Sequence, residues 1–189
     1  MTYHDILDLI LNTKNTTVGG GSAAALSGAM GAGLIGMVAL LSVGKNCGKT
    51  DEEYLGLEQC CKTLQNSLLT GAVADTEAYR QIMAAYKLPK ATEEEKAARR
   101  TAIEAAGIAA ASIPRDNGFA CRQVYEWGLS IQDECNQNAA SDISCGIALA
   151  KLGIQGCIAN IEANLPLIKN KEAAAGFERD IAALRERIN

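Results

Sequence analysis

Aromatic residues are scarce in this chain: one Trp, two Phe and five Tyr make up 4% of its 189 residues. Hydrophobic residues nevertheless reach 48%, and they are mostly Ala, Leu and Ile, which favour packed helices over the aromatic and β-branched strands of a β-sandwich. Only three prolines occur, and no stretch alternates polar and apolar residues with the period of two expected of strands. The sequence therefore predicts an all-α fold in a single domain covering residues 1–189.

Metal-binding patterns are also missing. His4 is the single histidine, and the seven cysteines include no C-x-x-C pair, so we expect no metal site. An odd number of cysteines is typical of free thiols in a reducing compartment, and we interpret the adjacent Cys60 and Cys61 as core residues. Charges within the apolar pattern of residues 1–14 argue against a signal peptide, so we predict a cytoplasmic protein.

Charge is mixed along the chain, with a net value of −4, and no Lys/Arg cluster predicts a nucleic-acid partner. No charge occurs between Lys14 and Lys45, a gap long enough to span a bilayer. A small residue recurs there every four positions, at Ala24, Gly28, Ala32 and Gly36. Such a stripe lets another backbone come close, so we interpret the segment as the central helix of a bundle or a dimer interface. A membrane-associated bundle is the alternative that we set aside.

Two capping boxes mark helix starts. Thr50 with Glu53 begins a helix predicted to reach about residue 86, and Thr92 with Glu95 begins one predicted to reach about residue 112. The apolar residues between these signals repeat at spacings of three and four, as on one face of a helix.

The remaining boundaries rest on single residues. Thr2 is predicted to cap a first helix, and Pro114 to open a new helix, because proline is tolerated in a first turn. Ser141 or Asp142 is predicted to cap a helix ending near residue 164, and Asn170 to cap the last one. These helices predict a bundle of long antiparallel helices.

A glycine-rich turn precedes the uncharged segment, with Gly19, Gly20, Gly21 and Ser22 in sequence. Free N–H groups at a helix start can hold an anion. The turn is not a Walker P-loop, since no Gly-Lys-Ser/Thr follows, and not a Rossmann fingerprint, since no strand precedes it. The residues alone leave two interpretations open: a ligand-binding turn, or a flexible turn capped by Ser22.

Several segments resemble the formiminotetrahydrofolate cyclodeaminase / methenyltetrahydrofolate cyclohydrolase family. In family order they are G-G-G-S-A-A-A at 19–25, D-T-E-A-Y at 75–79, Y-K-L-P-K-A-T-E-E-E at 86–95, N-A-A-S-D at 138–142 and N-I-E-A-N-L at 160–165. Together they cover almost the whole chain. One departure is Val18, where the family often has proline before the glycines.

The resemblance implies an all-helical homodimer that binds a tetrahydrofolate derivative, with or without a polyglutamate tail, near the glycine turn and the subunit interface. It implies no permanently bound cofactor. One family reaction hydrolyses 5,10-methenyltetrahydrofolate to the 10-formyl form, and the other closes 5-formiminotetrahydrofolate with release of ammonia. The chain has no room for a formiminotransferase domain, so we place hydrolysis ahead of deamination. A non-catalytic helical interaction module of the same fold is the other class considered.

Asp75 is the predicted catalytic residue. Both reactions pass through a tetrahedral carbon between the folate nitrogens N5 and N10, and a nearby carboxylate can stabilise the cation and move protons. The resemblance links an aspartate at the matching position to the cyclodeaminase reaction. Without it, Asp75 would be interpreted as a solvated charge on a long helix.

Six further residues are predicted to bind the substrate: Gly19, Gly20, Gly21, Ser22, Lys45 and Asp142. Lys45 could pair with the glutamate tail of folate, or simply end an apolar helix at the negative end of its dipole. Asp142 could face the ligand, or serve as a helix cap.

Overall fold

The computed structural model describes Asp8, Ile10, residues 17–186 and Ile188. Most of the predicted first helix, including Thr2, lies outside the described residues. Within them the structure is helical and contains no strand, which confirms the all-α prediction. Between residues 17 and 186 five α-helices follow one another: α1 Gly20–Ser42, α2 Asp51–Tyr86, α3 Glu93–Ile131, α4 Ala140–Asn164 and α5 Lys171–Arg185.

The four longest helices form an antiparallel bundle. The start of α1 at Gly21 lies against Asp75 late in α2, while Gly36 late in α1 lies against Cys61 early in α2, so these helices run in opposite directions. The same reversal relates α1 to α4, α3 to α2 and α3 to α4. This is an up-down-up-down arrangement, and it places the start of α1 beside the end of α4.

Helix caps account for several of these boundaries. Thr50 and Thr92 each accept a hydrogen bond from the backbone N–H three residues on, and both capping boxes are complete. Asn170 caps α5 through Glu172 N and Ala173 N, as predicted. The predicted cap at Ser141 or Asp142 is wrong, because α4 begins directly from a 3₁₀ turn at Gln137–Ala139 and has no side-chain cap.

Proline 114 does not open a new helix. It lies inside α3, so the prediction of two helices here is wrong. An interior proline removes the N–H that would bond to the carbonyl four residues earlier, which is Ala110 O. That carbonyl instead accepts a hydrogen bond from Asn164 Nδ2 at 3.1 Å. A side chain from α4 therefore satisfies the group that the proline leaves open.

The small residues of α1 serve packing within the chain. The stripe from Ala24 to Gly36 is buried, and a Cβ at Gly36 would lie 3.1 Å from Cys61 Cβ. This confirms the central-helix interpretation. Cys61 is buried, where loss of solvent raises the pKa of its thiol to about 12, whereas Cys60 is exposed, so only one of this pair is a core residue.

Two helical stretches, Gly20–Ser42 and Gln137–Leu167, are long and apolar enough to cross a membrane, with mean hydropathies of 1.9 and 1.3. The core helix of a soluble protein passes the same test, and 61% of the tested α1 window is buried in the bundle. Length and composition therefore give only weak evidence for a membrane span.

Candidate active site

The glycine turn forms the start of α1. Gly19 has an extended backbone and precedes the helix, and the first hydrogen bond of the helix runs from Ala23 N to Gly19 O at 3.1 Å. The N–H groups of Gly20 and Gly21 have no acceptor within the helix and lie at the positive end of its dipole. No side chain caps α1, so the interpretation of Ser22 as an N-cap is wrong.

Ser22 instead connects α1 to α2. Its Oγ lies 2.9 Å from Asp75 Oδ2 and 3.0 Å from Ala72 O, so its one proton can serve only one of these acceptors at a time. Thr76 Oγ1, at 3.2 Å, belongs to the same cluster. The structure thus brings together two residues predicted from distant parts of the sequence, Ser22 and Asp75.

Asp75 is half-buried beside the glycines. Partial burial raises the pKa of its carboxyl above 3.8, and the hydroxyl and N–H of Ser22 oppose this by stabilising the carboxylate. A Cβ at Gly21 would lie 2.6 Å from Asp75 Cγ, so only glycine allows this approach. A Cβ at Gly20 would meet only Asn160 Nδ2, at 3.3 Å, and Gly20 is helical, so its backbone does not require glycine.

A cavity of about 310 Å³ opens beside Asp75. Its walls come from Gly19 to Gly21 at the start of α1, from α2 with Tyr79 and Ile82, from Ala110 on α3, and from the end of α4. The cavity thus combines one carboxylate, unpaired helix N–H groups and an apolar wall, which suits an organic ligand with one reactive polar centre.

Two asparagines form the α4 wall. Asn160 Nδ2 donates to Gly156 O at 2.8 Å, and Asn164 Nδ2 donates to Asn160 O at 2.9 Å and to Ala110 O. Their Oδ1 atoms accept no hydrogen bond within the described residues, so both can accept one from a ligand. Their i, i+4 spacing in N-I-E-A-N-L is the signal that could have identified them as site residues.

Lys45 and Asp142 lie at the other end of the bundle. Lys45 follows the end of α1, about 35 Å from its start, and Asp142 is in the first turn of α4, about 27 Å from Asn160. The chain does not bring either residue to the cavity. Their substrate-binding role stays a prediction, because within a single subunit neither residue lies near the cavity.

Metal-ligating side chains do not converge here. In the part of the chain that the structure describes, no three His, Cys, Asp or Glu residues are grouped as a metal site would require. The chemistry of this cavity is therefore built from the Asp75 carboxylate, backbone N–H groups and side-chain amides.

Comparison with known proteins identifies the family of the chain. Residues 4–183 match the family model described as formiminotransferase-cyclodeaminase. A methenyltetrahydrofolate cyclohydrolase of Methylorubrum extorquens is 36% identical over 188 residues, covering 94% of this chain and 89% of the relative.

Longer proteins match as well. A formimidoyltransferase-cyclodeaminase of Gallus gallus is 26% identical over 92% of this chain, which spans about a third (32%) of that relative. The crystal structure of a formiminotetrahydrofolate cyclodeaminase from Thermotoga maritima superposes with a TM-score of 0.87 at 23% identity, covering 100% of this chain and 90% of the other. That likeness shows the shared fold. From the sequence matches, the chain belongs to the formiminotransferase-cyclodeaminase family.

Proposed function

We propose that this protein hydrolyses 5,10-methenyltetrahydrofolate to 10-formyltetrahydrofolate. The observation that carries the proposal is the half-buried Asp75 carboxylate held over Gly21 at the mouth of the cavity. The 36% identical relative that bears the name methenyltetrahydrofolate cyclohydrolase supports it. The carbon between N5 and N10 of this substrate belongs to an amidinium cation, which a neighbouring carboxylate stabilises.

Asp75 would act as a general base. Water attacks the carbon between N5 and N10 while the Asp75 carboxylate accepts one of its protons, giving a neutral tetrahedral carbinol. The elevated pKa of Asp75 makes the carboxylate a better base than an ordinary aspartate. The Ser22 hydroxyl keeps it oriented.

Collapse of the adduct completes the reaction. The C–N5 bond breaks, N5 takes the proton held by Asp75, and the hydroxyl becomes the formyl carbonyl with release of its proton to water. The N–H groups of Gly20 and Gly21, which line the cavity, would stabilise the oxygen as its charge develops. We assign substrate binding to Gly19, Gly20, Gly21 and Ser22. The step uses no bound metal, so activity should survive a chelator.

The second candidate is the cyclodeaminase reaction. Its tetrahedral carbon carries NH₂ in place of OH, and a carboxyl with a raised pKa can protonate the departing ammonia. The relatives that are named as cyclodeaminases support this second candidate.

The deciding experiment measures both reactions on the purified protein. Loss of methenyl absorbance reports hydrolysis, and gain of the same absorbance from 5-formiminotetrahydrofolate reports cyclodeamination. We expect hydrolysis to have the higher kcat/KM. Faster cyclodeamination would reverse the order of the two candidates, and no turnover of either substrate by folded protein would identify a non-catalytic module.

We also propose a cytoplasmic homodimer. All seven cysteines are unpaired, which suits a reducing compartment. Four apolar side chains of the uncharged helix α1 face outward: Met30, Met37, Leu40 and Leu41. A second copy of the chain would cover them. Light scattering should give twice the chain mass, and Met37→Glu should shift it towards the monomer, whereas a monomeric wild type would contradict the proposal.

A further inference from the structure

The contact between Ser22 and Asp75 has a third member that the proposed reaction does not use. Thr76 follows Asp75 on α2 and is half-buried, and it does not line the cavity. Its Oγ1 lies 3.2 Å from Ser22 Oγ and 3.4 Å from Ala72 O, the carbonyl one turn earlier in its own helix. Thr76 therefore lies beside the residue that holds Asp75, outside the space that a ligand would occupy.

Ser22 has one hydroxyl proton and three acceptors within reach of it. Asp75 Oδ2 lies at 2.9 Å, Ala72 O at 3.0 Å and Thr76 Oγ1 at 3.2 Å. Ser22 stabilises the carboxylate only while this proton points at it. Since the two shortest distances are nearly equal, distance alone does not decide which acceptor receives the proton.

The hydroxyl of Thr76 influences this choice in both of its orientations. A carbonyl oxygen has two lone pairs, and Ala72 O already accepts one N–H of the helix, so a second bond from Thr76 leaves no place for Ser22. When Thr76 donates to Ser22 Oγ instead, it polarises the Ser22 hydroxyl and makes it a stronger donor. Both orientations favour the hydrogen bond from Ser22 to the carboxylate.

The other threonines of α2 bond differently. Thr63 and Thr70 are exposed, and each donates to the carbonyl four residues earlier, at 2.9 and 3.0 Å. The corresponding distance for Thr76 is longer, at 3.4 Å, and its hydroxyl also reaches Ser22 on α1. Among the three threonines of this helix, Thr76 is the one whose hydroxyl contacts another helix.

We infer that Thr76 is a positioning residue, which commits the single hydroxyl proton of Ser22 to the Asp75 carboxylate. The inference rests on the proposed function, in which Ser22 keeps this carboxylate oriented while it accepts a proton from water. Thr76 touches neither the substrate nor the reacting atoms, and it acts through Ser22.

Few titratable groups of the described residues face Asp75. Helix α1 carries none, and α3 reaches the cavity with Ala110. On α4 the nearby group is the Cys157 thiol, whose pKa is held well above 9.0 by hydrogen bonding with Cys121 and by burial, so it is neutral. On α2 itself, Tyr79 also lines the cavity. A change in the pKa of Asp75 therefore reports on the hydroxyls beside it.

The pH dependence of kcat/KM tests the inference with Thr76→Val, which keeps the shape of the side chain and removes its hydroxyl. The acid limb should move to higher pH by about a two- to threefold change in the acid dissociation constant, because Ser22 then stabilises the carboxylate less. KM should match the wild type, since Thr76 lies outside the cavity lining. Thr76→Ser, which keeps a hydroxyl, should restore the limb.

Thr70→Val is the matched control. It removes a threonine hydroxyl that bonds only within α2, so it should leave the acid limb where the wild type has it. A double-mutant cycle with Ser22→Ala then shows whether Thr76 acts through Ser22. In the Ser22→Ala background, Thr76→Val should give no further shift, because the proton that it directs is absent. Additive shifts would overturn the inference.

A carboxyl titration separates this inference from the reaction itself. The ¹³C resonance of the Asp75 carboxyl, assigned by its loss in Asp75→Asn, gives the pKa of this group without turnover. A higher pKa in Thr76→Val than in the wild type and in Thr70→Val would support the inference even if the protein turned over neither folate. Equal pKa values in all three proteins, or the same shift in Thr70→Val, would overturn it.

Discussion

The two ends of the bundle use their polar groups differently. At the end away from the cavity, these groups satisfy one another. Tyr54 Oη donates to Glu134 O at 2.5 Å, Lys49 forms an ion pair with the same residue at 2.8 Å, and Asn136 N donates to Ser42 Oγ at 2.9 Å. These contacts tie the α1–α2 and α3–α4 connections together.

At the cavity end, several polar groups have no hydrogen-bond partner within the described residues. The N–H groups of Gly20 and Gly21 have no acceptor within α1, the Oδ1 atoms of two asparagines are open, and Asp75 holds a carboxylate in a partly desolvated place. Polar groups without a hydrogen-bond partner lower the stability of the fold, and they become useful only when a ligand binds to them. We therefore expect mutations at this end to affect activity, and mutations at the other end to affect stability.

The largest effect should come from Asp75→Asn. The change keeps the size of the side chain and removes its charge and basicity, so kcat should fall by about a hundredfold to ten-thousandfold, with little change in Tm. Asp142→Asn, at the opposite end, is the control and should keep most of the activity. Near-normal turnover by Asp75→Asn would remove its catalytic role, and an inactive Asp142→Asn would identify it as the functional aspartate.

The next effect should come from Gly21→Ala. The new Cβ would collide with the Asp75 carboxyl and push it away from Ser22, so we expect kcat/KM to fall at least about tenfold. Gly20→Ala is the comparison within the same cavity wall, and we expect a smaller loss because its Cβ meets only the end of Asn160. Comparison of kcat/KM and Tm for both variants checks this, and a larger loss in Gly20→Ala would contradict it.

A smaller effect is a shift of the pH profile. Because burial raises the pKa of Asp75, the acid limb of kcat/KM should have its midpoint above 3.8. The folded state also binds this proton more tightly than the unfolded state, so the contribution of Asp75 to stability falls as pH rises from 3.8 through its raised pKa. In Asp75→Asn, the pH dependence that Asp75 gives to the free energy of unfolding should be missing when denaturation is measured across this pH range. An acid limb at or below 3.8 would contradict the prediction.

The smallest effect on activity should come from Tyr54→Phe. Tyr54 is fully buried, and loss of its hydroxyl leaves Glu134 O without that donor, so the free energy of unfolding should fall by about 1–2 kcal/mol. Denaturant unfolding measures the loss, and kcat/KM should match the wild type. A marked fall in kcat/KM would show that the two ends are coupled.

Local signals in the sequence were sufficient for much of the fold. A capping box is complete within four residues, so Thr50 and Thr92 could be identified without knowledge of their neighbours. The place of Pro114 inside α3 could not be identified in this way. The carbonyl that it leaves without a helix partner, Ala110 O, accepts a hydrogen bond from Asn164, which lies fifty residues after the proline. A boundary set by one segment is predictable, whereas one that depends on a distant side chain is not.

The same distinction applies to the candidate site. Asp75 and the glycines were found through a resemblance, and the structure brings them together. Gly19, Gly20 and Gly21 are all predicted from the sequence to bind the substrate, but only the packing of α2 on α1 shows that Gly21 is the one that lies against the Asp75 carboxyl. The distance of Lys45 and Asp142 from the cavity likewise follows from the antiparallel order of the helices.

Pro114 connects the backbone of α3 to the wall of the cavity. Replacing it with alanine would restore a helix hydrogen bond and remove an interior proline, a change that ordinarily favours a helix by about 3 kcal/mol. It would also make Ala110 O an acceptor for its own helix as well as for Asn164, whose side-chain amide is held a second time by Asn160 O. The carbonyl that Pro114 leaves open is thus one of two anchors for the Asn164 side chain in the cavity wall, and an uninterrupted α3 would compete with Asn164 for it.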